Sequence, residues 1–324
     1  MTATLSRRPA RGTPPSAVAA QRLRQNFAAA RLSFTWFGVR KSLSPEQKAQ
    51  AAESFGAEGP YLSAAKKLLD TAHPAFQAVN SVRSQAVSYW KGMSLPYPEP
   101  GVRLVRQDEV ERFDRQMQVF RRELDGAVQT LDTHFEQLKA AARERLGRLF
   151  NAADYPPGLQ GLFAVEWDYP SVDPPEYLLR LNPHLYQQER QRIVSRFDEA
   201  VRLAEEAFTA EFGRLVSHLT ERLTSGPGGE RKVFRDTAVT NLREFFDRFR
   251  HLNVRSNADL DRLVETAQRS LAGVDPQAVR DDASLRQHVS AQLSGVQATL
   301  DQMLVDQPRR RILRGQSVGR AEGG

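Results

Sequence analysis

Six histidines, at 73, 134, 184, 218, 251 and 288, are the side chains best suited to proton transfer or metal ligation near neutral pH. None stands four residues from another, the spacing that puts two imidazoles on one helical face, so a metal site would need ligands from distant elements. The chain has no cysteine, which removes thiolate catalysis, disulfides and Cys-ligated zinc together. Gly226-Pro227-Gly228-Gly229 is glycine-rich but lacks the Gly-Lys-Ser/Thr ending through which a phosphate loop reaches phosphate and magnesium, and it reads as a linker. Asp168 with Asp173 and Asp281 with Asp282 are carboxylate pairs of the kind hydrolases use, yet nothing in the pattern places them in a cleft. The expectation is therefore no catalytic residue, no metal and no cofactor.

Two other sets suit binding rather than chemistry. Phe163, Val165, Trp167, Tyr169 and Tyr177 concentrate apolar and aromatic area between two long helical stretches. They read either as a contact patch for a protein partner or as a small core folded onto Leu146, Leu149 and Phe150. Arg7, Arg8 and Arg11 near the start, and Arg309, Arg310, Arg311 and Arg314 near the end, suit an anionic partner such as nucleic acid, or simply solubility.

The elements that must position these groups are mostly helical. In residues 107 to 150, Val110, Met117, Leu124, Leu131 and Leu138 recur every seven residues, with Phe113, Phe120, Ala127, His134 and Ala141 three further on. That is a heptad seam, in which His134 would be a polar register mark. In 184 to 224, Ile193, Phe197, Val201, Ala204, Phe208, Phe212, Leu215, Leu219 and Leu223 follow an eleven-residue repeat. The expectation is a mainly α fold: a helical body carrying a long antiparallel coiled-coil hairpin, 107–225, with a small β-hairpin at its tip, 152–182. In that hairpin Phe163, Val165 and Trp167 would face Tyr177, Leu179 and Leu181.

The remaining boundaries follow from punctuation. Residues 1–15 have the composition of a disordered basic tail, and 308–324 of another. Residues 16–106 form the N-terminal part of the body: a short Ala-rich helix at 16–30, a strand at 32–39, helices at 44–54, 61–70 and 75–91, and a strand at 102–105 that could pair with 32–39. Ser44-Pro45-Glu46-Gln47 is a capping box with a first-turn proline. Residues 226–307 form the C-terminal part, with helices at 231–250, 257–272 and 276–306, the last opened by Asp275-Pro276 and the second by a box at Ser256–Asp259.

The net charge of +7 resolves unevenly along the chain. Residues 1–42 carry eight Lys and Arg and no acid, and 308–324 carry five Arg against Glu322, whereas 107–225 holds 15 Lys and Arg against 21 Asp and Glu. The long helical stretches are thus poor candidates to track a phosphate backbone, and any nucleic-acid contact is expected at the termini. No apolar run approaches the roughly 20 residues that span a bilayer, and the Arg-rich start lacks an apolar continuation, so a cytoplasmic protein without membrane contact is expected.

The segments LSFTWFGVRKSL, LPYPEPGVRLV, LGRLFNAADYP and FRDTAVTNLREFFDRFRHLNV, together with the Phe-rich helix after the second, form a spaced pattern over residues 30–300. The pattern resembles an uncharacterised family encoded by tailed phages, plasmids and some bacteria. That family's Leu-Pro is commonly followed by Trp-Asp, where this chain has Tyr97-Pro98. Such genes often lie near a MoxR-like or cobaltochelatase-like AAA+ ATPase and a von Willebrand A-type protein, so the resemblance implies partners of those kinds and no reaction. The resulting expectation is a non-catalytic assembly or adaptor protein binding a partner through the hairpin tip. The alternative is a recombination or replication factor that binds nucleic acid through its basic termini.

Overall fold

The computed structural model describes residues 15–223 and 237–306, and the chain divides into two compact units, Met1–Leu203 and Ala204–Gly324. The described residues are mainly helical, with a small amount of strand.

The first unit opens with helix α1 (Pro15–Asn26), which runs directly into strand β1 (Phe27–Thr35). Strand β2 (Arg40–Ser42) follows, then helix α2 (Pro45–Glu53), where the capping box is formed as the residues imply. Ser44 accepts from the Gln47 amide and the Gln47 side chain accepts from the Ser44 amide. Residues 61–70 were expected to be helical, but they hold a short 3-10 turn, Gly59–Tyr61, and strand β3 (Ala65–Lys67). Cross-strand ties override the local helix preference of Ala-Ala-Lys-Lys-Leu-Leu: the Leu43 amide donates to Ala64 and the Leu68 amide to Val39.

Helix α3 (Pro74–Gly92), strand β4 (Ser94–Pro96), strand β5 (Val102–Arg106), helix α4 (Val110–Thr133) and helix α5 (Phe135–Leu146) come next. The expected single helix over 107–150 breaks at His134, whose amide bonds the Leu131 carbonyl in a tighter turn. Strand β6 (Ala164–Asp168), helix α6 (Tyr177–Leu181) and helix α7 (Pro183–Leu223) follow, with α7 crossing the division between units.

The four longer-range strands form one sheet in the order β4-β5-β1-β6, all antiparallel, while β2 and β3 make a separate two-stranded ribbon. Strand β5 does pair with the first long strand, but through Phe27–Arg31 rather than 32–39.

This topology corrects the hairpin arm. The seam of α4, Phe113, Met117, Phe120, Leu124, Val128 and Leu131, is buried in one cluster with Phe76, Val79, Ala86 and Trp90 of α3, Leu32 of β1 and Val165 of β6. An amphipathic stripe packs on whatever apolar face lies nearest, and a sheet face plus α3 supplies more area than a single distant helix. The tip β-hairpin is corrected too. Residues 164–168 pair with Arg31–Thr35 of β1, and 177–181 are helical, their first turn closed by Leu178 and Leu179 amides onto Pro175 and Glu176.

The second unit comprises the later part of α7 with helices α8 (Thr237–Leu252), α9 (Ala258–Ser270), α10 (Pro276–Asp281) and α11 (Ala283–Asp306). The eleven-residue stripe of α7 is buried from Ile193 through Leu223. Asn257, not Ser256, caps α9 by accepting from Asp259 and Leu260 amides. The expected helix over 276–306 is interrupted at Asp282, whose carboxylate takes the Ser284 and Leu285 amides and so starts α11. The glycine run 226–229 and both basic tails lie outside the described residues.

Candidate functional site

The β2/β3 ribbon sets like charges directly across from one another: Arg40 opposite Lys67 and Lys41 opposite Lys66. Facing cations on neighbouring strands repel, so each pair requires an anion or costs stability. Because successive side chains on a strand alternate between faces, the two pairs lie on opposite sides of the ribbon.

One pair is neutralised internally. The Asp154 side chain, only 3% exposed, places Oδ1 2.6 Å from the Lys41 ammonium and Oδ2 2.6 Å from that of Lys66. Lys66, itself buried, also donates to the Leu149 carbonyl at 2.6 Å. The hydrogen bonds from Lys41 and then Lys66 hold the Asp154 carboxyl below the ordinary carboxylate range. Next along the chain, the Tyr155 hydroxyl donates to the Leu68 carbonyl at 3.0 Å, and burial pushes its pKa up. Residues 149–155 are thereby locked onto β3.

The other pair has no such partner. Arg40 and Lys67 are exposed and make no ion pair with the described residues. Between the two strands, Phe55 and Tyr61 are 82% and 87% exposed, the highest values among the large apolar side chains described. Their turn lies against α2, since a Cβ on Gly59 would stand 3.1 Å from the Ala49 Cα. Lys67 also borders an open cleft of about 290 Å³ over Leu138, Ala141, Ala142 and Leu146 of α5, rimmed by Asp70 and Arg145. Those two pair at 2.8 Å, and the bond from Arg145 keeps the Asp70 carboxyl below its usual range.

The aromatic set expected to bind a partner is divided by the fold. Phe163 and Val165 are core residues, Phe163 lying edge-on to Trp36 and Phe76. Trp167 is half-buried; its indole N–H donates to Asp114 at 2.7 Å, and the Arg121 guanidinium sits 4.3 Å from its ring centre. Tyr169 lies edge-on to Phe113, and burial raises its hydroxyl pKa to about 12. Tyr169 is still 39% exposed, and Tyr177, at 54%, stands further clear in an exposed run with Leu179, Leu181 and Leu185. Strand alternation had put Tyr177, Leu179 and Leu181 on one buried face. In the helical turn after Pro174-Pro175 all three are exposed, with Tyr177 and Leu181 on one side and Leu179 roughly 200° around the axis.

Several of the other candidates hold structural positions. His73 accepts from the Ala75 amide as the cap of α3, and its ring lies 5.1 Å from that of His134. Among the described residues no group of three or more His, Cys, Asp or Glu is arranged to hold a metal ion. Asp173 pairs with Arg24 at 2.7 Å, and Asp282 caps α11, where the Leu285 amide lowers its pKa. Arg7, Arg8, Arg11, Arg309, Arg310, Arg311 and Arg314 lie outside the described residues. No helix among the described residues is long and apolar enough to cross a membrane.

Sequence reasoning missed the Arg40/Lys67 pair because its signal appears only once the ribbon register is known. The exposure of Phe55 had a weaker cue, its place between the α2 terminus and the Gly56 turn. No protein-family model, no curated protein and no solved structure matches the chain.

Proposed function

We propose that this chain is a non-catalytic, cytoplasmic adaptor that engages a protein partner through the exposed segment Tyr177–Leu185. One observation carries the reading: within nine residues Tyr177 is 54%, Leu179 47%, Leu181 76% and Leu185 37% exposed, in a unit that buries most of its large apolar side chains. Tyr177 and Leu181, four residues apart, share one side of α6, and apolar side chains exposed in this way are stabilised when a second surface covers them. Arg180 within the run and Arg190 beyond it favour a partner surface with acidic groups at its rim, whereas Arg192 and Arg196 are paired with Glu189 and Glu99.

An AAA+ ATPase or a von Willebrand A-type protein, the partners implied by the resemblance, would meet that description if it presents an apolar groove with an acidic border. The contact moves away from Trp167, whose indole is already committed to Asp114 and Arg121. The test is a titration of purified ATPase against this chain and its Tyr177→Ser/Leu181→Asp variant. The double substitution is expected to weaken binding by about 100-fold, roughly 2.7 kcal/mol, with little change in melting temperature, because Leu181 is mostly and Tyr177 about half in water. Unchanged affinity would overturn the assignment of this surface.

A further inference from the structure

We infer that the β2/β3 ribbon, with the α2 excursion between its strands, is a binding site for single-stranded nucleic acid, separate from the apolar segment above. Arg40 and Lys67 would hold backbone phosphate, and Phe55 and Tyr61 would stack on bases.

The argument starts from the asymmetry of the ribbon. Two cation pairs face each other across the same two strands; the Lys41/Lys66 pair has a buried carboxylate between its ammonium groups, and the Arg40/Lys67 pair has none among the described residues. The described residues thus supply an anion on one face and place none on the other, where one from outside can bind. A phosphodiester fits, because a forked guanidinium and a point-charge ammonium can share its two free oxygens.

The aromatics decide which polyanion. Phe55 and Tyr61 show more than four-fifths of their surface to water and have no ring partner within the described residues. Arg40 and Lys67 stand two ladder pairs, about 7 Å of strand, from the base of the excursion that carries both aromatics. Cations combined with exposed stacking rings are the chemistry of single-strand binding, since a duplex hides its base faces. The base of the excursion is closed by the Leu43 to Ala64 bond and its turn is braced on Ala49. Both aromatics are therefore carried on ordered backbone attached to the strands that bear Arg40 and Lys67.

Fluorescence anisotropy of the full chain with a labelled oligo-dT, and with a duplex of the same length, tests this. The basic termini contribute alike to wild type and to variants, so the comparison isolates the ribbon. Phe55→Ser/Tyr61→Ser, at positions almost wholly in water, is expected to weaken oligo-dT binding by about tenfold or more while leaving duplex binding and the salt dependence unchanged. Arg40→Ala/Lys67→Ala should weaken it by a similar factor and reduce the slope of log affinity against log salt by about 1.4, the value for two phosphate contacts on a single strand. The inference is overturned if the aromatic variant binds oligo-dT as tightly as wild type, or if the cation variant loses nothing. It is equally overturned if anionic phospholipid vesicles bind in an aromatic-dependent way while oligo-dT does not. None of these outcomes bears on the ATPase titration, which probes different residues.

Discussion

Phe245 in the second unit touches four other phenylalanines, Phe208, Phe212, Phe246 and Phe249, with ring centres 5.1 to 6.2 Å away. The first unit has a comparable apolar cluster but threads polar ties through its margin: Asp154 with Lys41 and Lys66, Tyr155 with the Leu68 carbonyl, Trp167 with Asp114, and the Leu159 amide with Asp132 at 2.7 Å. The difference follows from where the partners come from. In the second unit an apolar stripe on α7 meets an apolar stripe on α8, and its polar ties among the described residues span less of the chain: Arg248 with Glu211, Arg243 with the Val274 carbonyl, and Asn253 with Asp261. The first unit brings β1, β3, α4 and the 149–168 segment together from far apart in the chain, and a strand displaced by one residue would turn its apolar face outward. Directional hydrogen bonds specify that register in a way dispersion contacts do not.

The sharpest way to break the comparison is to remove a ring. Phe245→Ala, at a site 2% exposed, is expected to cost about 4 kcal/mol, seen as a lowered denaturation midpoint for the second unit. A loss under about 2 kcal/mol would mean that the phenylalanine cluster is redundantly packed.

Asp154→Asn tests the polar half. It leaves the buried Lys66 ammonium without its anion and should destabilise the first unit by about 3 kcal/mol, the low end for a broken buried pair because Lys41 is half in water. The pH dependence carries a sign. The Asp154 pKa is lower folded than its ordinary 3.8, so its contribution is complete above that value and is lost as pH falls from there through the folded pKa. The variant should therefore lack that portion of the acid destabilisation, read from denaturant melts between pH 5 and pH 2 in roughly half-unit steps.

Trp167→Phe is the smallest and most pointed. It keeps a ring under Arg121 but removes the donor to Asp114, and is expected to cost about 1 kcal/mol without affecting ATPase binding. If stability holds and binding fails instead, Trp167 is a contact residue after all.

How legible this molecule is from its residues depends on range. Most signals that act within four residues are realised: the Ser44 box, Asp275 accepting the Gln277 amide, and the buried stripe of α7, whereas the Ser256 box gives way to a cap at Asn257. Features decided by distant partners are not. Nothing local marks Ala65–Lys67 as a strand, since it is held by β2 and by Asp154 far along the chain. The heptad seam of α4 identifies a buried face but not whether α3 or α7 covers it. The candidate surfaces share this limit: residues 177–181 form an exposed helical turn rather than a strand packed on 163–167, and Arg40 meets Lys67 only in this register.

The central position of β1 also governs the order in which the chain is completed. Its hydroxyl-bearing Ser33 bonds Glu166, 133 residues further on, which at a synthesis rate of roughly 5–20 residues per second separates their appearance by roughly 7–27 s. For that interval the half of β1 containing Leu32 and Phe34 has no strand beside it, and its amides and carbonyls form an open, apolar edge. In the second unit, contacts among the described residues run from Phe208 of α7 to Phe245 of α8 and from Gly213 of α7 to Leu304 of α11, and they join helices, which leave no unpaired strand edge while they wait. The period of greatest exposure to aggregation therefore falls during translation, before residue 168 has emerged, and slower growth temperatures or a holding chaperone would act on the nascent chain at that stage.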